Sequence, residues 1–358
     1  MLATTPSIDE LVIPADLDPP AAADFIEMVQ ARNAIEQAIL GNDGLAVTPE
    51  ELLPAFTSPF EPRRVFVARV DGAVVGRGIL HTPLPAGSRS SWVVAEVLPE
   101  YRRRGIGSRL FERVEALALQ SGRPVLQAQA LHGAAAGGER LPSPTGFGDL
   151  PMTDPGVQFL LHRGYRLEQV DRISFLTLPV DREALQRITA AGAARVAPEY
   201  RLVGWSGRTP ADRTDDLLTL HTRMSVDAPF AGLDIDEDPW TAARLERDEA
   251  SFEGTGRQRL TAAVEHLATG RLVGFSQLTV PDDRSRPAQQ EDTLVLTGHR
   301  GHGLGMLMKA ANILALTALT PPPPLVVTFN AEENRHMLDV NEALGFRPAG
   351  RAAGWRKG

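Results

Sequence analysis

Two rhythms of apolar residues run along the chain, one of three to four residues and one of two, and they divide it into helices and strands. Residues 22–40 carry the first rhythm, with Phe25, Ile26, Val29, Ile35 and Ile39 apolar and Gly41 as a stop. Thr48-Pro49-Glu50-Glu51 opens a second helix through its cap residue and the proline at the first helical position. The apolar triplet at 11–13 predicts an opening strand. Residues 65–70 and 73–80 are β-rich runs joined by Asp71-Gly72, which predicts a hairpin. Residues 92–97 read as a buried strand, beyond which Leu110, Phe111, Val114, Leu117 and Ala118 recur at helical spacing. A strand at 124–130, an irregular Gly- and Pro-rich loop at 132–155, a short helix at 156–163 and one or two closing strands within 165–178 follow.

The order then starts again. After a helix at 181–194 come a strand at 200–205, helices at 211–225 and 241–252, and a hairpin of 260–267 with 272–280. Its Gly270 and Gly274 repeat the spacing of Gly72 and Gly76. A strand at 293–296, a helix to about 319, a Pro321 to Pro324 spacer, a strand at 325–329 and a helix at 334–344 complete the copy. This is an internal duplication of α/β type, a mixed α+β fold. The expected modules are 8–180 and 198–358, joined by a linker helix at 181–197.

In both copies the buried strand hands over to a helix through arginine and glycine. The turns are Arg102-Arg103-Arg104-Gly105-Ile106-Gly107 and Arg300-Gly301-His302-Gly303-Leu304-Gly305, offset by 305 − 107 = 198 residues. The first turn of a helix presents unpaired N–H groups and the positive end of the dipole, and glycine lets an anion approach the backbone. A solvated basic helix start is the alternative for either copy alone. A dinucleotide site would need G-x-G-x-x-G and an acidic residue at the end of the next strand, as in a nicotinamide-dependent oxidoreductase. A P-loop would need Lys-Ser/Thr after the last glycine, where Ser108-Arg109 and Met306-Leu307 stand. Both fit poorly.

At 358 residues the chain suits two domains, and 43% hydrophobic with 23% charged residues suffices for two cores. A net charge of −8 argues against nucleic acid as a partner, so the basic patch at Arg102 to Arg104 points to a small anionic ligand. With no cysteine, disulfide and thiolate chemistry are excluded. No apolar run approaches the ~20 residues of a membrane span, and no basic segment with an apolar core opens the chain. No membrane partner is expected, and the cytoplasm is the expected location.

Placed twice after a strand and before a helix, Arg102-x-x-Gly105-x-Gly107 and Arg300-x-x-Gly303-x-Gly305 resemble the signature of the GNAT superfamily of acyl-CoA-dependent N-acyltransferases. Asn334 followed by Leu344-Gly345-Phe346 is similar to the family's ending, of which the first copy keeps Arg163-Gly164-Tyr165. The likeness covers nearly the whole chain as two tandem modules, as in mycothiol synthase-like actinobacterial proteins. It implies two GNAT-like modules, each a mixed, mostly antiparallel sheet flanked by helices. It also implies acetyl-CoA (coenzyme A) as cofactor. Backbone at Ala95, Glu96 and Val97, and at Thr293, Leu294 and Val295, would pair with the pantetheine arm. The two turns, with Arg102, Arg103, Arg104, Gly105, Ile106 and Gly107 in one and Arg300, Gly301, His302, Gly303, Leu304 and Gly305 in the other, would cradle the pyrophosphate. Three arginines against one predict tighter binding in the first module. After Phe346 the second module has room for one closing strand where the family often has two, so the first module is expected to complete its sheet.

Direct transfer needs a neutral amine, a polarised thioester carbonyl and a proton for the departing thiolate. Many family members donate that proton from a tyrosine three residues before Leu-Gly-Phe, but here Leu160 and Asn341 hold the position, and Tyr101, Tyr165 and Tyr200 lie elsewhere. The candidate bases are Glu96, within its strand, and Asp292, just before its own. Pairing of Glu96 with a nearby arginine is the alternative. Asn330, Asn334 and Asn341 either bond the pantetheine amides or cap the helix. The loop at 132–155 is expected to cover the first site, with His132 and His162 at its ends. His299 and His302 lack further nearby ligands, so no metal is expected. The acidic run Asp234, Asp236, Glu237 and Asp238 either attracts a cationic amine or is a solvated loop. The expected function is transfer of an acetyl or other acyl group to the amine of a small molecule. The alternative is a non-catalytic acyl-CoA-binding or sensing protein, and the chain is either a monomer or a homodimer.

Overall fold

The computed structural model describes residues 6–83, 88–133 and 137–358. In the first half it runs β1 (Ser7–Glu10), α1 (Ala23–Leu40), α2 (Pro49–Phe56), β2 (Arg63–Val70), β3 (Ala73–His81) and β4 (Ser90–Val97). Then come α3 (Ile106–Gln120), β5 (Val125–His132), β6 (Arg140–Pro142), β7 (Asp149–Pro151), α4 (Pro155–His162) and β8 (Arg166–Thr177). The linking helix α5 (Arg182–Val196) leads to β9 (Tyr200–Ser206), α6 (Thr214–Asp227), α7 (Ala242–Phe252), β10 (Arg257–His266) and β11 (Arg271–Pro281). The second half closes with β12 (Ala288–Val295), α8 (Leu304–Leu316), β13 (Leu325–Ala331), α9 (Arg335–Ala343) and β14 (Arg347–Lys357).

Among the described residues, twelve strands form one sheet in the order β1-β2-β3-β4-β5-β14-β8-β13-β12-β11-β10-β9. The closing strands are exchanged: β14, from the second half, lies between β5 and β8 of the first, while β8 pairs with β13 of the second. Trp355 of β14, fully buried, packs in the core of the first half with Phe111, Tyr165 and Leu167. Removing a buried tryptophan typically costs about 3–5 kcal/mol, so the first core needs the end of the chain. The second half, with a single closing strand of its own, is completed by the first.

Alternation along the strands buries two faces. In β2, Phe66 and Ala68 turn toward α3, whereas Val65 and Val67 turn toward α1. The second half repeats this, with Val264 and Val273 toward α8 and Ala263 and Phe275 toward α6. On the face that carries α1 and α6 the halves clasp each other. Arg286 pairs with Glu51 of α2 at 2.6 Å, and Gln127 of β5 exchanges bonds of 3.0 and 2.6 Å with the backbone of Asp234. The acidic run that opens with Asp234 is therefore partly an interface segment.

Two expectations change. The opening strand lies at Ser7–Glu10, not 11–13: it is an edge strand on β2, short and polar, and Val12 is left 83% exposed. The stretch 132–155 contains the small hairpin β6–β7, packed on the first core through buried Leu150; residues 134–136 of it lie outside the described residues. His132, at the start of this stretch, is fully buried and meets Asp154 at 3.0 Å, which in turn caps α4.

Candidate functional site

The two Arg-Gly turns share one backbone. Each follows a single 3₁₀ turn, Pro99–Tyr101 or Thr297–His299, and opens α3 or α8. Positive φ occurs at Arg103 (62°) and Gly105 (78°), and at the matching Gly301 (87°) and Gly303 (74°). In both, the leading arginine donates from Nε to the carbonyl of the last residue of the preceding strand, Val97 at 2.9 Å and Val295 at 3.0 Å. This tie holds the turn against the strand end, and the first N–H groups of the helix that it opens have no partner within the helix.

What surrounds the turns differs. Among the described residues no carboxylate pairs with Arg102, Arg103 or Arg104, and nothing lies within 4 Å of where a side chain on Gly105 would start. At the second turn Arg300 lies 3.4 Å from Asp227, whose side chain is 7% exposed. The Arg195 guanidinium from α5 comes within 1.9 Å of where a Gly303 Cβ would sit, and donates to the His302 carbonyl at 3.1 Å. The first turn is open and basic; the second is covered and partly neutralised.

Each turn sits below a splayed pair of parallel strands. β4 pairs with β5 only from Ser90 to Val93, and β12 with β13 only at Ala288 and Gln289. Beyond those points Ala95, Glu96 and Val97, and Thr293, Leu294 and Val295, bond to β3 or β11 on one side and present their other edge to the gap. An extended amide chain fits such an edge by strand-like pairing.

The first splay opens into a half-open cavity of about 290 Å³ lined by residues of both halves. Arg77 of β3 and Glu96 of β4 are cross-strand partners joined at 2.7 Å. Next to them Arg32 and Glu36 of α1 form an ion pair at 2.8 Å. Glu36 is 6% exposed, and burial pushes its carboxyl up to about 7 against the pull of Arg32. Apolar walls come from Leu45, Ile79, Val94 and Leu131, and the second half contributes Gln289 and Phe329.

In the second half the cross-strand pair at the corresponding place is Phe275 with Leu294, so the ion pair is replaced by an apolar one. Asp292 does not precede its strand but lies inside β12, at a bulge where Glu291 and Asp292 together oppose Gln277. Its side chain keeps 46% of its exposure, in a crevice where burial and the neighbouring Glu291 push the carboxyl up to about 6. His221 of α6 stands 3.9 Å away, too far for a hydrogen bond. It is stacked on Trp240 at 4.2 Å, and burial pushes it down to about 3, so it is neutral.

The structure therefore gathers the predicted turn and strand residues at the mouths of two splays, and separates the two predicted bases in role. Glu96 is engaged by Arg77; Asp292 has no arginine partner among the described residues. Asn334 accepts from Met337 N at 3.3 Å as the cap of α9, and Asn341, buried, donates to Asn330 at 2.6 Å. The tyrosines are engaged too: Tyr165 donates to Glu115, Tyr200 meets His299, and Tyr101 lies under Arg104. Arg32, Glu36 and Arg77 belong to no motif in the sequence, although the first two are four apart on the inward stripe of α1 and the third interrupts an apolar strand.

Comparison with known proteins agrees with this geometry. Residues 61–137, which span β2 to β5 and include the first turn, match the acetyltransferase (GNAT) domain model. A tandem GNAT protein from the clavulanic acid biosynthesis pathway is 26% identical, with 99% of this chain and 98% of that one covered and a TM-score of 0.71. A GCN5-related N-acetyltransferase from Sphaerobacter thermophilus shares the fold at 15% identity, covering 94% and 93% of the chains with a TM-score of 0.60. No curated sequence relative matches. Two splayed strand pairs, two turns of one backbone and a neighbour of the same tandem build lead to one assignment: residues 61–137 match a GNAT acetyltransferase domain, and the chain as a whole has the fold of a tandem GNAT protein.

Proposed function

We propose that the protein transfers the acyl group of an acyl-CoA, acetyl-CoA in the first instance, to the amine of a small molecule by direct attack, and that the first half holds the coenzyme. The observation that carries this is the open turn with three arginines that have no carboxylate partner among the described residues, below a splay that leads into a cavity lined by carboxylates. In this reading the N–H groups from Arg102 to Gly107 and the arginine side chains hold the pyrophosphate, and the free edge from Ala95 to Val97 pairs with the pantetheine arm. The pantetheine then runs up the gap between β4 and β5 and delivers the thioester to the cavity. The second half would hold a coenzyme in the same way, along Thr293 to Val295 and Arg300 to Gly305, but against Asp227 and Arg195. Asp292 is the base available to it. No described helix is long and apolar enough to cross a membrane, and with a net charge of −8 we assign the work to the cytoplasm, with no nucleic-acid partner.

The test is thiol release from acetyl-CoA by the full chain over a panel of small amines. Release that depends on an amine supports the reading. Saturable acetyl-CoA binding with no release on any amine overturns it in favour of a non-catalytic acyl-CoA-binding protein. That second reading is favoured by the side chains at the family's acid position, since Leu160 and Asn341 have no phenol.

A further inference from the structure

The cavity at the first splay is not made by the first half alone. Phe329 of β13 is 41% exposed and forms part of the lining of this half-open cavity. With Ile79, Val94 and Leu131 of the first half it makes the apolar side of the cavity. The polar end has the opposite character, because its donors are engaged. Arg32 donates to Leu45 O and to Asn33, and pairs with Glu36; Arg77 donates to Glu96 and to the sulfur of Met28. Its acceptors are not all engaged: Glu96 accepts from Arg77, but Glu36 Oε2, buried, has the Arg32 charge beside it and no donor aimed at it. Spare acceptors at one end and a bare aromatic at the other select a ligand that donates hydrogen bonds from one end and is apolar at the other. At about 290 Å³ the space holds roughly ten water-sized groups of about 30 Å³ each.

Building on the acyl-transfer reading above, we propose that the acceptor is a small primary amine with an aromatic or branched apolar body, seated between the halves. Its amine lies at Glu36 and Glu96, and its body lies against Phe329. The ammonium gives one proton to Glu36, on which Arg32, Arg77 and Glu96 are the charged groups that act. The neutral nitrogen attacks the thioester carbonyl carbon; the C–N bond forms and the C–S bond breaks. The second amine proton ends on the coenzyme thiol, and the proton on Glu36 returns to water. The second half thus supplies specificity to chemistry performed at the first.

Calorimetry on the full chain with 2-phenylethylamine, glycine and spermidine as probes tests this. Phenylethylamine should bind at least about tenfold tighter than either of the others. Phe329→Ala should weaken it about five- to tenfold, the scale of one aromatic contact, while Phe329→Leu keeps most of the affinity and acetyl-CoA binding is unchanged in both. Glu36→Gln should weaken phenylethylamine binding and lower the turnover rate, flattening its rise with pH. Tighter binding of glycine or spermidine, or a phenylethylamine affinity indifferent to Phe329→Ala, overturns the assignment. Binding that depends on Phe329 without thiol release on any amine would instead leave the cavity assignment standing and remove the acyl-transfer reading.

Discussion

At the first turn Arg103 and Gly105 take positive φ, and at the second Gly301 and Gly303 take it in the same places. The backbones are the same device. Their surroundings are not, since the first turn faces open space while the second has Asp227 against its arginine and Arg195 against its glycine. One step up the strands the difference recurs in another form, an Arg77–Glu96 pair in the first half and a Phe275–Leu294 pair in the second. A duplicated fold can thus keep its turn geometry in both copies while charge and access diverge. The exchange of β8 and β14 explains why both copies stay folded: neither core is complete without the other.

The largest expected effect sits at the turns. Gly105→Val places a branched side chain over the N–H groups that would meet the pyrophosphate, removing several charge-assisted bonds of about 1.5–3 kcal/mol each. Acetyl-CoA affinity should fall more than about 100-fold. Gly303→Val suffers the same backbone strain, of about 1–2 kcal/mol, but should change the affinity of the tight site less than about threefold. Isothermal titration of both variants compares the halves directly. If Gly303→Val proves the more damaging, the coenzyme belongs to the second half and the comparison is inverted.

Much of this contrast is legible in the sequence, and the parts that are not have physical reasons. Strand, turn and helix around Arg102 to Gly107 depend on local spacing, so both copies stand out. The shared sheet agrees with the expectation that the first module completes the second, since β14 lies between β5 and β8 and β8 pairs with β13. The cavity does not show, because a charged residue inside an apolar stripe weakens a periodicity instead of announcing a partner: Arg32 and Glu36 look like gaps in α1, and their meaning lies in Arg77, 41 residues beyond Glu36. Asp292 is misplaced for a related reason. Gln289-Gln290-Glu291 hides a strand whose polar side chains line a crevice, and a bulge breaks its alternation. Phe329 is invisible as a cavity wall, since it reaches the first half only through the strand exchange.

A middle-sized effect sharpens the comparison one step above the turns. Glu96→Ala leaves the Arg77 guanidinium, 6% exposed, without its carboxylate, and breaking a buried pair in this way costs about 3 kcal/mol. Arg77→Phe combined with Glu96→Leu writes the second half's pair into the first. By the same principle a well-packed apolar replacement is near neutral, so the double variant should recover most of the loss in chemical denaturation. A double variant no better than Glu96→Ala would mean that the first cavity is built around the charges and does not accept its sibling's solution.

The smallest effect separates the halves by pH. Glu36, in the first half, is raised by burial to about 7 from an ordinary 4.5, so the folded state holds a proton that the unfolded state has released between those values. Its contribution is present below about pH 4.5 and is lost as pH rises through 7. His221, in the second half, is lowered by burial to about 3 from 6.5, and here the unfolded state takes the proton first. Its contribution is present above pH 6.5 and is lost as pH falls toward 3. The two slopes oppose each other across the shared window, on top of the fall in stability with rising pH that buried Asp171 and Asp292, raised to about 7 and about 6, add to every chain. Relative to the wild type, Glu36→Gln should tilt the profile toward gaining stability with rising pH and His221→Phe toward losing it, each by on the order of 1 kcal/mol, since a tenfold change in proton affinity is about 1.4 kcal/mol. Denaturation midpoints at pH 5 and pH 7 for the three chains decide it, and tilts of the same sign in both variants would show that the two buried groups do not divide the titration between the halves.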